Sequence, residues 1–134
     1  MKKNQKKNSS ELYAVIGLGR FGMALARELA AKGKSLLVID YDREKINEVL
    51  EFTDNAFVIN SLTVDALEET GIGEADVAVV CIGEKIDISI LATLNLMKLG
   101  VKRVISKAMS EEQGEVLKLL GAEVVYPERD MAIR

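Results

Sequence analysis

"YAVIGLGRFG", Tyr13 to Gly22, decides the fold: an apolar run closes on three glycines spaced G-x-G-x-x-G, with Arg20 between the second and the third. A Val- and Ile-rich run entering such a turn reads as a strand buried on both faces that leads into a helix. In that setting Gly17 permits the tight turn, Gly19 lets the backbone approach a pyrophosphate, and Gly22 lets the helix pack against the sheet. The first N–H groups of the helix then face the phosphates, with the positive end of its dipole behind them.

The pattern repeats outward. "SLLVID", "NAFVIN", "DVAVVCIG", "KRVISKA" and "AEVVYPE" are five further short apolar runs without strict alternation. Helical patterns are predicted between them at Phe21 to Lys32, Arg43 to Phe52, Val64 to Thr70, Lys85 to Leu99 and Glu111 to Leu120. Four of these run into a glycine (Gly33, Gly71, Gly100, Gly121), the residue that closes a helix in the left-handed conformation. Asp42 is a predicted N-cap, and "SEEQ" from Ser110 to Gln113 fits a capping box. The order βαβαβαβαβαβ predicts an α/β, Rossmann-like, doubly wound sheet of six parallel strands with helices on both faces.

Asp40 closes the second run, eighteen residues after Gly22, where an acid accepts hydrogen bonds from a ribose. Its carboxylate would repel a 2′-phosphate, so NAD(H), ATP, ADP or AMP is expected over NADP(H). Arg20 and Phe21 fill the two positions before the last glycine and complete the candidate loop. A guanidinium there offers a fork of donors to additional phosphate oxygens. Asn60 and Ser61, after the third strand, and Gly83, after the fourth, fall at the carboxyl edge where ligands lie in open α/β sheets.

Composition excludes several classes. With 134 residues there is room for one core. The opening "MKKNQKKNSS" carries four lysines and no acid, so residues 1–11 are expected to be a disordered basic leader and 12–134 the domain. The remainder has a net charge of −7 and aromatics are 4% of the chain, which argues against nucleic-acid binding. The longest uncharged runs have ten residues, short of the roughly 18 to 20 a spanning helix needs, so no direct membrane insertion is expected. No His is present, which removes imidazole chemistry, and the single Cys81 removes cysteine-cluster metal sites and disulfides. Hydride transfer also needs a surface that presents substrate to the nicotinamide, and the nucleotide-binding fold consumes the chain. Sensing is therefore expected rather than catalysis, with the cofactor-binding half of an NAD-dependent oxidoreductase and a ligand-free dimerisation scaffold as alternatives. The segment around Ile86, Ile88, Ile90, Leu91, Leu94, Leu96, Met97 and Leu99 is apolar almost all round, so self-association is expected. Arg129 to Arg134 reads as the opening of a further helix.

With "GLGRFG" and the terminal "PERDM" in hand, the chain from Leu12 to Arg134 closely resembles the N-terminal lobe of the regulator of potassium conductance (RCK) domains, also called the KTN or TrkA-N family, in its KtrA-like branch. The resemblance implies a cytoplasmic gating subunit that docks on a K⁺-translocating membrane protein and forms homodimers or larger homo-oligomers. It implies that Gly17, Gly19 and Gly22 bind phosphates and that Asp40 binds ribose. Arg20 would approach a terminal phosphate, on a nucleotide of the same or the partner subunit, and Glu128 would help hold a cation beside the nucleotides. It leaves NAD(H) open against ATP and ADP, and Arg20 favours ATP and ADP. The C-terminal lobe usual in that family is expected to lie beyond this stretch.

Overall fold

The computed structural model describes residues 11–128. Residues 1–10 of the expected leader and the helix expected from Arg129 lie outside that range. Six strands, β1 (Leu12–Ile16), β2 (Ser35–Asp40), β3 (Ala56–Val58), β4 (Val77–Val80), β5 (Arg103–Lys107) and β6 (Glu123–Val125), form one sheet in the order β3-β2-β1-β4-β5-β6. Every pairing is parallel. The order reverses between β1 and β4, and this switch point opens a crevice at the carboxyl edge.

Helices α1 (Arg20–Ala31), α2 (Arg43–Val49), α3 (Val64–Glu69), α4 (Ile86–Lys98) and α5 (Glu111–Leu119), with a short 3₁₀ turn at Ile72–Glu74, make the crossovers. The central strands send alternate residues to opposite faces. Ala14, Ile16, Leu37 and Ile39 join Leu67 of α3 and Ala92 and Leu96 of α4 in one core. Val15, Leu36 and Val38 join Ala26 of α1 and Ile46 and Val49 of α2 in the other. A strand packed on both faces has no polar side, and this is why β1 reads as an unbroken apolar run.

The edge strands are shorter than the apolar runs that predict them. β3 keeps Ala56–Val58 of "NAFVIN" and β6 keeps Glu123–Val125 of "AEVVYPE", since each pairs on one side and is half-covered. Local signals hold where they were expected. Asp42 caps α2 by accepting from the Glu44 N–H at 2.9 Å, and Ser110 caps α5 by accepting from Gln113 N–H at 3.1 Å. Gln113 completes its box one residue early, accepting from Met109 N–H. The four glycines at helix ends all have positive φ.

The apolar α4 is inverted relative to a simple amphipathic helix. Its polar Ser89, Thr93 and Asn95 are buried, while Ile86 and Leu91 are exposed. The buried set is hydrogen-bonded: Thr93 to Ser106 of β5 at 2.7 Å, Asn95 to the Leu62 carbonyl at 2.7 Å, and Gln113 of α5 to Ser89 at 3.4 Å. Partnered polar groups cost little inside, so α4 can turn aliphatic residues outward.

Candidate functional site

At the carboxyl edge the glycine loop runs from the end of β1 into α1. Gly17 has φ +99°, and a Cβ there would press on Cys81 and Ile82 across the crevice. A Cβ on Gly22 would overlap the Gly17 carbonyl oxygen. The fold itself therefore demands both glycines. Gly19 differs: its φ is −71°, which any residue adopts, and a Cβ there would meet nothing within 4 Å. Among the described residues no packing requirement calls for a glycine at position 19, which faces open space.

Gly19 is also the N-cap of α1, and it provides no side-chain cap. The first helical bond is donated by Met23 N–H to the Gly19 carbonyl at 2.9 Å. The amides of Arg20, Phe21 and Gly22 precede it and have no carbonyl within the helix to bond. An uncapped N-terminus beside an open loop is suited to an anion.

Asp40 is almost fully buried at the end of β2 and already holds the loop. One carboxylate oxygen accepts from Leu18 N–H at 2.7 Å and the other from Asp42 N–H at 2.8 Å. This tie is absent from the sequence reading, which assigned Asp40 to a ribose only. Each oxygen keeps a further lone pair, so the two roles are compatible.

Asn60 and Ser61 are exposed beyond β3, next to Asp40, whose carbonyl accepts from Ile59 N–H at 3.0 Å. Phe21 is half-buried and packs with the core beneath α1. Arg20 is exposed, with no hydrogen bond or ion pair among the described residues. It lines a shallow depression between α1 and α2 together with Leu18, Gly19, Met23, Arg27 and Lys45.

On the other side of the crevice lies a residue that the sequence reading missed. Lys107 closes β5 at the same edge, is buried, and donates to Glu128 at 3.1 Å. Its Nζ sits 3.2 Å from where a Cβ on Gly83 would be, so Gly83 makes room for the ammonium. The clue was available: in "KRVISKA" a charged residue ends an apolar strand, as Asp40 does in "LLVID". Glu128, expected beside a cation, has this ammonium as its partner, and no group of three or more His, Cys, Asp or Glu among the described residues is placed to hold a metal. Burial pushes the Cys81 thiol up to about 12, against a smaller opposing pull from the Lys107 charge, so Cys81 is an inert core residue.

The TrkA-N domain family model matches residues 13–127. Ktr system potassium uptake protein C of Bacillus subtilis (strain 168) is 40% identical over 123 residues, 91% of this chain and 56% of that protein. Ktr system potassium uptake protein A of Vibrio alginolyticus is 38% identical over 129 residues, 96% of this chain and 59% of that protein. The chain therefore spans a little over half the length of these relatives. Among solved structures, the TrkA-N domain of the inner membrane protein ybaL from Escherichia coli superposes with a TM-score of 0.82 at 21% identity, covering 92% of both chains. The GsuK channel, solved bound to NAD and also bound to ADP, shares the fold at 16% identity, with TM-scores of 0.74 and 0.72 over 87% and 90% of this chain and 21% and 32% of those chains.

Proposed function

The chain belongs to the TrkA-N domain family, and from that premise we propose that it is the nucleotide-sensing domain of a regulatory subunit that gates K⁺ uptake. The supporting observation is at the loop: Gly19 is open and unconstrained by packing, and stands over an uncapped helix N-terminus. Adenine nucleotide binding accounts for that glycine. Asp40 and, beside it, Asn60 and Ser61 take the ribose side, while the amides of α1 take the phosphates.

ATP and ADP are favoured over NAD(H), because cationic groups stand on both flanks of the loop, Arg20 on one and Lys107 on the other. The exposed position of Arg20 suits a terminal phosphate on a nucleotide held by a second copy. Glu128 is the candidate for a cation beside the nucleotides, in exchange for its present partner. The likeness to Ktr potassium uptake proteins supports a K⁺-translocating membrane protein as the docking partner and a position on its cytoplasmic side. Among the described residues no helix is long and apolar enough to cross a membrane.

Gating would be a coupling of equilibria: a nucleotide that prefers one subunit arrangement shifts the population by its differential affinity, typically about 1–3 kcal/mol. The test follows from the contrast between the glycines. Gly19→Ala should stay folded, losing at most about 1 kcal/mol through its poorer N-cap, yet bind ATP and ADP at least roughly tenfold more weakly because its Cβ holds a phosphate off the helix amides, whereas Gly22→Ala should lose far more stability. A Gly19→Ala variant with unaltered nucleotide affinity would refute the proposal.

A further inference from the structure

Gly114 has no local reason to be glycine. It lies inside α5, where glycine is less favourable than alanine. Its φ is not among the positive ones, and its N–H makes an ordinary helical bond to the Ser110 carbonyl at 3.0 Å. The reason is Tyr126. A Cβ on Gly114 would overlap the Tyr126 hydroxyl and stand 2.9 Å from the ring Cζ. Gly114 is therefore a notch in α5, and the half-buried Tyr126 fills it.

What the notch holds is the connection from β6 to Glu128. Tyr126 follows β6 directly, and Pro127 alone separates it from Glu128. A proline ring fixes its own φ and restricts the residue before it to extended conformations. With the Tyr126 ring seated, few backbone rotations remain between it and the Glu128 Cα. The sheet holds the same stretch from its other side: Lys107 is in register with Val125, and Ala108 N–H donates to the Val125 carbonyl at 2.8 Å. The Glu128 side chain is 56% exposed and its carboxylate lies 3.1 Å from the buried Lys107 ammonium. A long exposed side chain loses freedom when it is engaged, and a backbone fixed beforehand lowers that cost.

We propose that Gly114 and Tyr126 are positioning residues for Glu128: the seat of Tyr126 in the notch keeps the Glu128 backbone at the carboxyl edge, so that its carboxylate is presented there to a divalent cation accompanying the nucleotide's phosphates. This rests on the cation role given to Glu128 above and adds two residues to it. A side chain at position 114 pushes the ring off α5, and Pro127 and Glu128 shift with it.

Calorimetric titration of nucleotide-stripped protein with ATP, in Mg²⁺ and in EDTA, tests this on the parent protein, Gly114→Ala, Tyr126→Leu and Glu128→Gln. Mg²⁺ should tighten ATP binding to the parent protein by roughly tenfold or more, the worth of one charged contact. Glu128→Gln should lose most of that gain. Gly114→Ala and Tyr126→Leu should lose it too, with ATP affinity in EDTA not weakened. Joining Gly114→Ala to Glu128→Gln should add no further loss, because both act through one carboxylate. Retention of the full Mg²⁺ gain by either folded positioning variant, with Glu128→Gln deficient, overturns the proposal and leaves the cation role standing. Equal weakening in Mg²⁺ and in EDTA also overturns it, since the notch then serves the fold alone. A parent protein that binds ATP without a Mg²⁺ gain, or a Glu128→Gln variant that keeps the gain, overturns the cation role and the proposal together. A parent protein that binds no ATP in either condition overturns the nucleotide reading beneath them. Should Gly114→Ala not fold, Tyr126→Leu, which leaves α5 unaltered, decides.

Discussion

Asp40 and Asp76 show how much of this fold is held by single carboxylates that accept backbone N–H groups across strands. Asp76, just before β4, accepts from Leu12 N–H at 2.8 Å and from Lys102 at 3.2 Å, and so ties the start of β1 to its neighbour. The Leu12 bond first, and the Lys102 ammonium second, hold its carboxyl below the ordinary carboxylate range. A depressed folded-state pKa gives stability that is complete above the unfolded value and is lost as pH falls through the folded one. Melting temperature should therefore drop in acid, and Asp76→Asn should be less stable near neutrality with a shallower acid decline. Equal acid slopes for the two proteins would remove Asp76 from the account. Asp40 gives a warning at the same scale. Since it positions Leu18, an Asp40→Ala change would lower nucleotide affinity for two reasons at once, and Gly19 is the cleaner probe.

At the scale of elements, what was legible in the sequence is what is local. The capping residues Asp42 and Ser110 and the four helix-ending glycines act within a few positions of themselves, and all were readable. The contacts that escaped join residues far apart in the chain. Asp40 meets Leu18 from another strand end, and Lys107 meets Glu128 across the β5–β6 connection. The inward polar face of α4 depends on Ser106 and Gln113, which belong to other elements. Only the excess of apolar residues on α4 was visible, and the structure shows where it goes: Ile86 and Leu91 are each more than 40% exposed. A second copy covering Leu91 is the solution we propose. Leu91→Lys should then shift the protein toward monomer in sedimentation equilibrium with its melting behaviour retained, and an unchanged mass would place the interface elsewhere.

At the scale of the whole molecule, the sheet separates two packed faces from one open edge. Two cores clamp it from both sides and leave the carboxyl edge as a line of loops, along which Asn60, Asp40, the glycine turn, Gly83 and Lys107 follow one another in strand order. A ligand laid along that line touches the ends of most strands, so its binding can bias how copies of the domain sit against each other. We propose that this line reads the phosphates of an adenine nucleotide. Titration of nucleotide-stripped protein with ATP, ADP, NADH and adenosine in parallel tests it most directly. Saturable binding with ATP and ADP tighter than NADH, and adenosine far weaker, is the predicted result; adenosine binding as tightly as ATP, or no binding by any of the four, would contradict it.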